Sequence, residues 1–264
     1  MLEFSLHQGI SLYGRAPQDV LRLISMASVP GGRALELLWA ICMQLQGLGY
    51  PTVVLDGSAS ETPESPGLID LLEHNLWIEA PMGALQATAH SLPVLPAARG
   101  LAMFAPGQRI SEAPLACLQP LLRRYAVVVL YAPMPVLASC LATGSNASPL
   151  LLLGNGEDSV MRAYKDLKRL AMETELVSTV VSLAHGETQR ASAHRQLSTL
   201  RECAAKHLGQ APRTLALDPD RPADLQRLAL ELLEGAETLA STGLSTALPS
   251  SRGAAHAAHI ATSH

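Results

Sequence analysis

Lysine is nearly missing from this chain of 264 residues: of 19 basic residues only Lys165, Lys168 and Lys206 are lysines, and none precedes position 165. Chemistry that needs an ammonium group in the first half of the chain is thereby excluded. Aromatic residues make up only 3%, so the core must be built from Leu, Ala and Val. Charged residues are also scarce, at 16% against 48% apolar, and that balance excludes wholesale disorder. No basic excess exists either; the formal net charge is -4, which argues against a nucleic-acid partner. The four cysteines, Cys42, Cys117, Cys140 and Cys203, form no C-x-x-C pair, so zinc-ribbon and thioredoxin motifs are excluded and reduced cytoplasmic thiols are expected. Met1-Leu2-Glu3-Phe4 is no basic n-region, and no signal peptide is expected. Pro133 and Pro135 interrupt the best long apolar run. A soluble, cytoplasmic protein is expected.

What is present is alternation. Residues 20–28 read as a strand, followed by a Pro30-Gly31-Gly32 turn and a helix over 33–49 that is apolar nearly all round, which predicts burial inside the domain. Residues 52–56 (TVVLD) form a short β-branched strand. The continuous apolar runs 126–131 and 149–153 predict central parallel strands covered on both faces. A helix follows from Glu157, then a strand over 176–183 and a long helix over 187–208 closed by Gly209. Residues 213–217 read as the last strand and 222–240 as an amphipathic helix. Its polar face carries Asp224, Glu231, Glu234 and Glu237 against Arg227, so it is expected to dock on the domain and membrane association is not expected. The whole predicts one α/β domain over 20–240, a mostly parallel sheet with helices on both faces, between an N-terminal segment 1–19 and a disordered tail 241–264.

Ligands of such a sheet sit beyond the C-terminal ends of the strands, above all after the first. Here that loop runs Val29-Pro30-Gly31-Gly32-Arg33-Ala34-Leu35-Glu36. By itself a Gly pair marks a tight strand-to-helix turn. With the helix and the strand ending in Asp56, it is also the frame of a phosphate-binding unit.

The wider pattern resembles the MinD/ParA class of P-loop ATPases and its deviant Walker motif K-G-G-x-G-K-[ST]. Pro30 falls on the signature lysine, Gly31 and Gly32 on the glycines, Arg33 on x, Ala34 on the third glycine, Leu35 on the second lysine and Glu36 on the Ser/Thr. Val53-Val54-Leu55-Asp56-Gly57-Ser58 is similar to the D-x-D strand end, with Ser58 in place of the second aspartate. Residues 92–101 (LPVLPAARGL) resemble L-x-V-L-P-x-x-x-G-L, and 125–135 resemble Y-D-x-x-x-x-D-x-P-P with Ala126 and Tyr131 replacing both aspartates. Residues 157–170 resemble the helix that follows the next strand in that class. The resemblance implies a single MinD-like P-loop domain. It also implies lost chemistry, since phosphoryl transfer needs lysine charge on the phosphates, a hydroxyl on Mg²⁺ and carboxylates for metal and water. The expected pocket is vestigial, made by Pro30, Gly31, Gly32, Arg33, Asp56 and Pro133, with no catalytic residue, no metal and at most weak ATP or ADP binding.

Ahead of the first strand, His7-Gln8-Gly9-Ile10-Ser11-Leu12-Tyr13 is similar to the D-Q-A-x-x-L-R helix of the flagellar-number regulators FlhG and FleN, matching at Gln8 and Leu12. That resemblance implies a pseudo-ATPase regulator of flagellar placement or number, docking through Gln8 and Leu12 onto an FlhF-like GTPase or another flagellar assembly protein. Two alternatives stay open: a divergent ATPase using Arg33 as its cation, and a positioning factor for another system such as pilus or cellulose secretion. A homodimer is compatible with each. His185, Glu187 and His194 read as surface residues, Gly154-Asn155-Gly156 as a turn before a helix, and His256, His259 and His264 as part of the tail rather than as metal ligands.

Overall fold

The computed structural model describes residues 20–29, 32–74, 92–104, 114–141, 147–154 and 156–239. The segment 1–19 and the tail from 241, with the expectations attached to them, lie outside the described residues. The described residues form eight strands: β1 (Leu21–Ala27), β2 (Thr52–Asp56), β3 (Val94–Pro96), β4 (Val127–Ala132), β5 (Leu150–Leu153), β6 (Thr179–Leu183), β7 (Arg213–Leu217) and β8 (Glu237–Leu239). They make one sheet in the order β3-β2-β4-β1-β5-β6-β7, parallel throughout, with β8 antiparallel on β1. The helices are α1 (Gly32–Gly47), α2 (Leu68–His74), α3 (Ala98–Ala102), α4 (Leu118–Leu121), α5 (Met134–Cys140), α6 (Glu157–Thr174), α7 (Gly186–Leu208) and α8 (Pro222–Glu234).

The continuous apolar runs are explained by two cores. Successive strand residues point to opposite faces, so a strand covered on both sides must be apolar at every position. All six residues of β4 and all four of β5 are buried. Val128, Leu130, Leu151 and Leu153 pack on the face covered by α2 to α7. Val127, Val129, Leu150 and Leu152 pack on the face covered by α1 and α8. At roughly 1.5–3 kcal/mol per fully buried large aliphatic side chain, the leucines and valines supply what the missing aromatics do not. Gly209, at φ 70, closes α7 in the left-handed region as expected from sequence.

Two expectations need correction. Helix α1 is not buried all round: Leu37, Leu38, Ile41, Cys42 and Leu45 face the sheet, whereas Leu35 and Trp39 are each 51% exposed and Met43 is exposed beside them. The physical reason is that, among the described residues, α8 is the one other helix on this face, so the outer side of α1 is left uncovered by them. The predicted helix over 222–240 stops at Glu234, and residues 237–239 become strand β8. Gly235 and Ala236 make the turn, and Leu239, Thr238 and Glu237 pair with Leu21, Arg22 and Leu23. The Arg22 Nη1 group donates to the Leu233 carbonyl at 2.9 Å, adding a side-chain partner to the turn that ends α8. The leucines of α8 do dock as expected; Leu225, Leu228, Leu232 and Leu233 are buried. The strand expected over 176–183 begins at Thr179.

One polar group inside the fold organises the β3 edge. Glu61 is only 4% exposed, and its carboxylate accepts backbone N–H groups of Arg99 at 2.8 Å, Gly100 at 2.8 Å and Ile69 at 3.3 Å. One carboxylate therefore caps the first turns of α2 and α3 together, replacing solvent as their acceptor. Gly67 and Gly100 permit the approach, because a β-carbon on Gly67 would collide with the Pro96 carbonyl oxygen and one on Gly100 would stand 2.7 Å from Leu68 Cγ. Charge-assisted hydrogen bonds are worth roughly 1.5–3 kcal/mol each. Glu61→Ala is expected to lower the unfolding free energy by about 3 kcal/mol in urea titration, and Glu61→Gln to recover only part of the loss.

Candidate functional site

Strand β4 occupies one whole edge of β1, from Arg22↔Val127 to Ala27↔Ala132. Strand β5 meets the opposite edge only at Met26↔Leu150, because β8 holds Leu21 to Leu23 there. β5 therefore starts where β1 ends and projects past it. Beyond this step lies a cleft of about 160 Å³. One wall is Val29, Gly32, Arg33 and Ala34; the other is the end of β5 with Gly154, Ser159, Arg162 and Asp166, and Leu183 also contributes. The Ser159 Oγ atom lies 2.7 Å from the carbonyl oxygens of both Gly154 and Gly156, and its single hydrogen, donated to either or shared, ties down the β5–α6 turn that sequence predicts here.

The cleft is small beside the ~300–1,000 Å³ of sites that enclose drug-sized ligands. Its charge comes from the exposed guanidinium groups of Arg33 and Arg162 and from the Asp166 carboxyl. Burial pushes the Asp166 carboxyl above its ordinary range, while Arg169 and Arg162 hold it down in part. Two cations against one carboxyl whose charged form is disfavoured by burial suit a small anionic group better than a cation.

The positions that resemble the ATPase motif carry other chemistry. Ala34 is buried, Leu35 points outward at 51% exposure, and Glu36 is exposed on the first turns of α1. The Glu36 Oε1 oxygen lies 3.9 Å from where a β-carbon on Gly32 would stand, at the helix end whose free N–H groups would otherwise favour a phosphate. At the end of β2, Asp56 Oδ1 accepts the Ser58 N–H at 2.9 Å and the Ser58 hydroxyl at 2.6 Å, which closes it in a local turn. Tyr131 pairs with Asp56 across β4 and β2, and burial first, then the Asp56 charge, push its phenol above the ordinary value. It stays neutral and cannot act as the carboxylate it replaces. These residues do not fit a magnesium-bound triphosphate.

Of the residues expected in the pocket, Gly32 and Arg33 line the cleft. Asp56 and Pro133 stand at the ends of β2 and β4, outside the cleft wall, where Pro133 (φ -55) precedes α5. Pro30, Gly31, Gln8 and Leu12 lie outside the described residues. Sequence reasoning missed Ser159, Arg162 and Asp166, which recur at three- and four-residue helical spacing on α6. It also missed a second group. The His185 Nδ1 atom lies 3.1 Å from Asp220 Oδ2, and Asp218 joins them with one ligand atom from each residue within 4.8 Å of the others. The signal was available, since His185 and Asp218 each follow the end of adjacent strands. Cys42 offers no nucleophile: burial pushes its thiol up to about 12.

No family model matches the sequence, and no curated protein matches it. Solved structures do. The chain superposes on cobyrinic acid a,c-diamide synthase from Mycobacterium smegmatis, with bound ATP analog and magnesium, at a TM-score of 0.50 and 16% identity, covering 81% of this chain and 95% of that one. The chain shares the fold of that synthase. pNOB8 ParA matches at TM-score 0.49 and 12% identity over 81% of this chain and 99% of its own, and MinD of Aquifex aeolicus at 0.48 and 15% over 78% and 86%. These identities show the fold and nothing finer.

Asp166 gives a direct test of the cleft's electrostatics. Its folded-state pKa is raised, so the stability it contributes is present at acid pH and is lost as pH rises through that value. Asp166→Asn is expected to be more stable than wild type at pH 7, by about 0.5 kcal/mol or less after solvent screening, with the difference vanishing in urea titrations below the carboxylate range.

Proposed function

We propose that this chain is a non-catalytic regulator with a MinD/ParA-class fold, acting through protein contacts in flagellar placement or number control. The observation that carries the non-catalytic reading is the Glu36 carboxylate beside Gly32 at the N-terminal end of α1. The helix dipole there favours an anion, and the Glu36 carboxylate already supplies one, which repels phosphate at that end. No lysine before Lys165 compensates. Purified protein is expected to show no Mg²⁺-dependent ATP turnover above buffer and, at most, weak equilibrium binding of labelled ATP or ADP.

Arg33 and Arg162 on the cleft give the enzyme alternative its one specific support, because two guanidinium groups could receive an anion. A turnover rate that disappears in Arg33→Ala would establish that alternative and end the non-catalytic reading.

The flagellar part rests on the N-terminal resemblance at Gln8 and Leu12. Small interfaces depend on one or two buried anchors, each worth about 2 kcal/mol or more on truncation. Calorimetric titration against the FlhF homologue of the same organism is expected to show binding weakened about 30-fold by Leu12→Ala, with a smaller loss for Gln8→Ala. Equal binding by all three proteins, or none by wild type, would remove the flagellar assignment and leave the ATP result standing.

A further inference from the structure

We propose that His185, Asp218 and Asp220 form a binding site for one divalent transition-metal ion of the zinc class, tying the loop after β6 to the loop after β7. The site is separate from the cleft and independent of the function proposed above.

The geometry comes first. The His185 Nδ1 and Asp220 Oδ2 atoms are 3.1 Å apart, and one ligand atom from each of the three residues lies within 4.8 Å of the others. Zinc binds such donors at about 2.0–2.2 Å, which sets neighbouring donors roughly 3–3.5 Å apart. One edge of the coordination sphere is therefore already formed, and the remaining edges close by about 1.5 Å at most.

The donors are held before any ion arrives. Leu183 pairs with Leu217 at the ends of β6 and β7, and the Ala184 N–H donates to the Leu217 carbonyl at 2.8 Å, so both loops leave from locked positions. The His185 N–H donates to Gln189 Oε1 at 3.1 Å. Asp218 is only 8% exposed, and its Oδ1 accepts the Asp220 N–H at 3.2 Å. A site built on strand ends with a buried carboxylate loses little entropy on binding.

The donor set selects the ion. One imidazole nitrogen with two carboxylates neutralises a divalent charge, and the nitrogen disfavours magnesium and calcium, which take all-oxygen sets. The competing cation is Arg221, whose Nε lies 3.5 Å from Asp218 Oδ2; its side chain is 58% exposed and can leave. Arg190 and Arg227 are engaged by Asp224 instead. The Asp220 side chain is 80% exposed, so at least one coordination position opens to solvent, where water or a donor from another molecule completes the sphere.

The test uses full-length protein, so that the histidines after residue 241 are present in every sample. Wild type, His185→Ala and Asp220→Asn are titrated calorimetrically with Zn²⁺, and melted with Zn²⁺, with Mg²⁺ and with chelator. Wild type is expected to bind one equivalent that both variants lose or bind about 100-fold more weakly, and at 100 times the Kd to melt about 5–10 °C higher with Zn²⁺ but not with Mg²⁺. Both substituted side chains are partly exposed, and melting temperatures equal to wild type in chelator confirm that the variants fold. Zinc taken up equally by wild type and both variants would place the ion elsewhere and overturn the proposal. So would a wild type that binds no zinc.

Discussion

Sharing of one edge of β1 between two strands sets the geometry from which the rest follows. β4 takes the other edge completely, so β8 and β5 must divide what is left. Because β8 holds the lower half, β5 can join only at Met26 and must run on beyond β1. That offset separates the start of α1 from the β5–α6 turn and opens the cleft between Arg33 and Arg162. Without β8 the two strands could pair in register, and the turn at Gly154 would descend onto the loop after β1. A three-residue strand thus shapes a site at the opposite end of the sheet.

The fold was largely legible because its signals are local. Short continuous apolar runs mark strands covered on both faces, and β2 was placed to the residue by its β-branched run and terminal Asp56. Gly209 announced the end of α7 by its freedom at positive φ. The failures share one cause, which is partnership over long sequence distance. Glu237 to Leu239 is too short to carry a strand signal and exists as one only because Leu21 to Leu23 offers it hydrogen bonds. The outward face of α1 looked like core because Leu35, Trp39 and Met43 are apolar, and no local rule states how many helices share a sheet face. Glu61 carries no local signal of its role, which exists only because the starts of α2 and α3 converge on it.

The candidate site was half legible. The loop after β1 was found from topology, and Gly32 and Arg33 line the cleft there. Its far wall comes from α6, whose polar residues look like a solvated helix face when read alone. The substitutions at the ATPase-like positions were visible as letters, but their physical sense was not. Only coordinates show the Glu36 carboxylate beside Gly32, Asp56 closed on Ser58, and Tyr131 kept neutral beside Asp56.

The pairing of Leu21 with Leu239 also has a meaning in time. The middle strand of the sheet is made before all the other described strands, yet the partner for its lower edge is the last of them. Until then β1 carries an unsatisfied ladder of N–H and C=O groups, open to a neighbouring nascent chain. The centre of the sheet is therefore completed only once β8 has been made, and the interval before β8 arrives is when β1 is most open to mispairing.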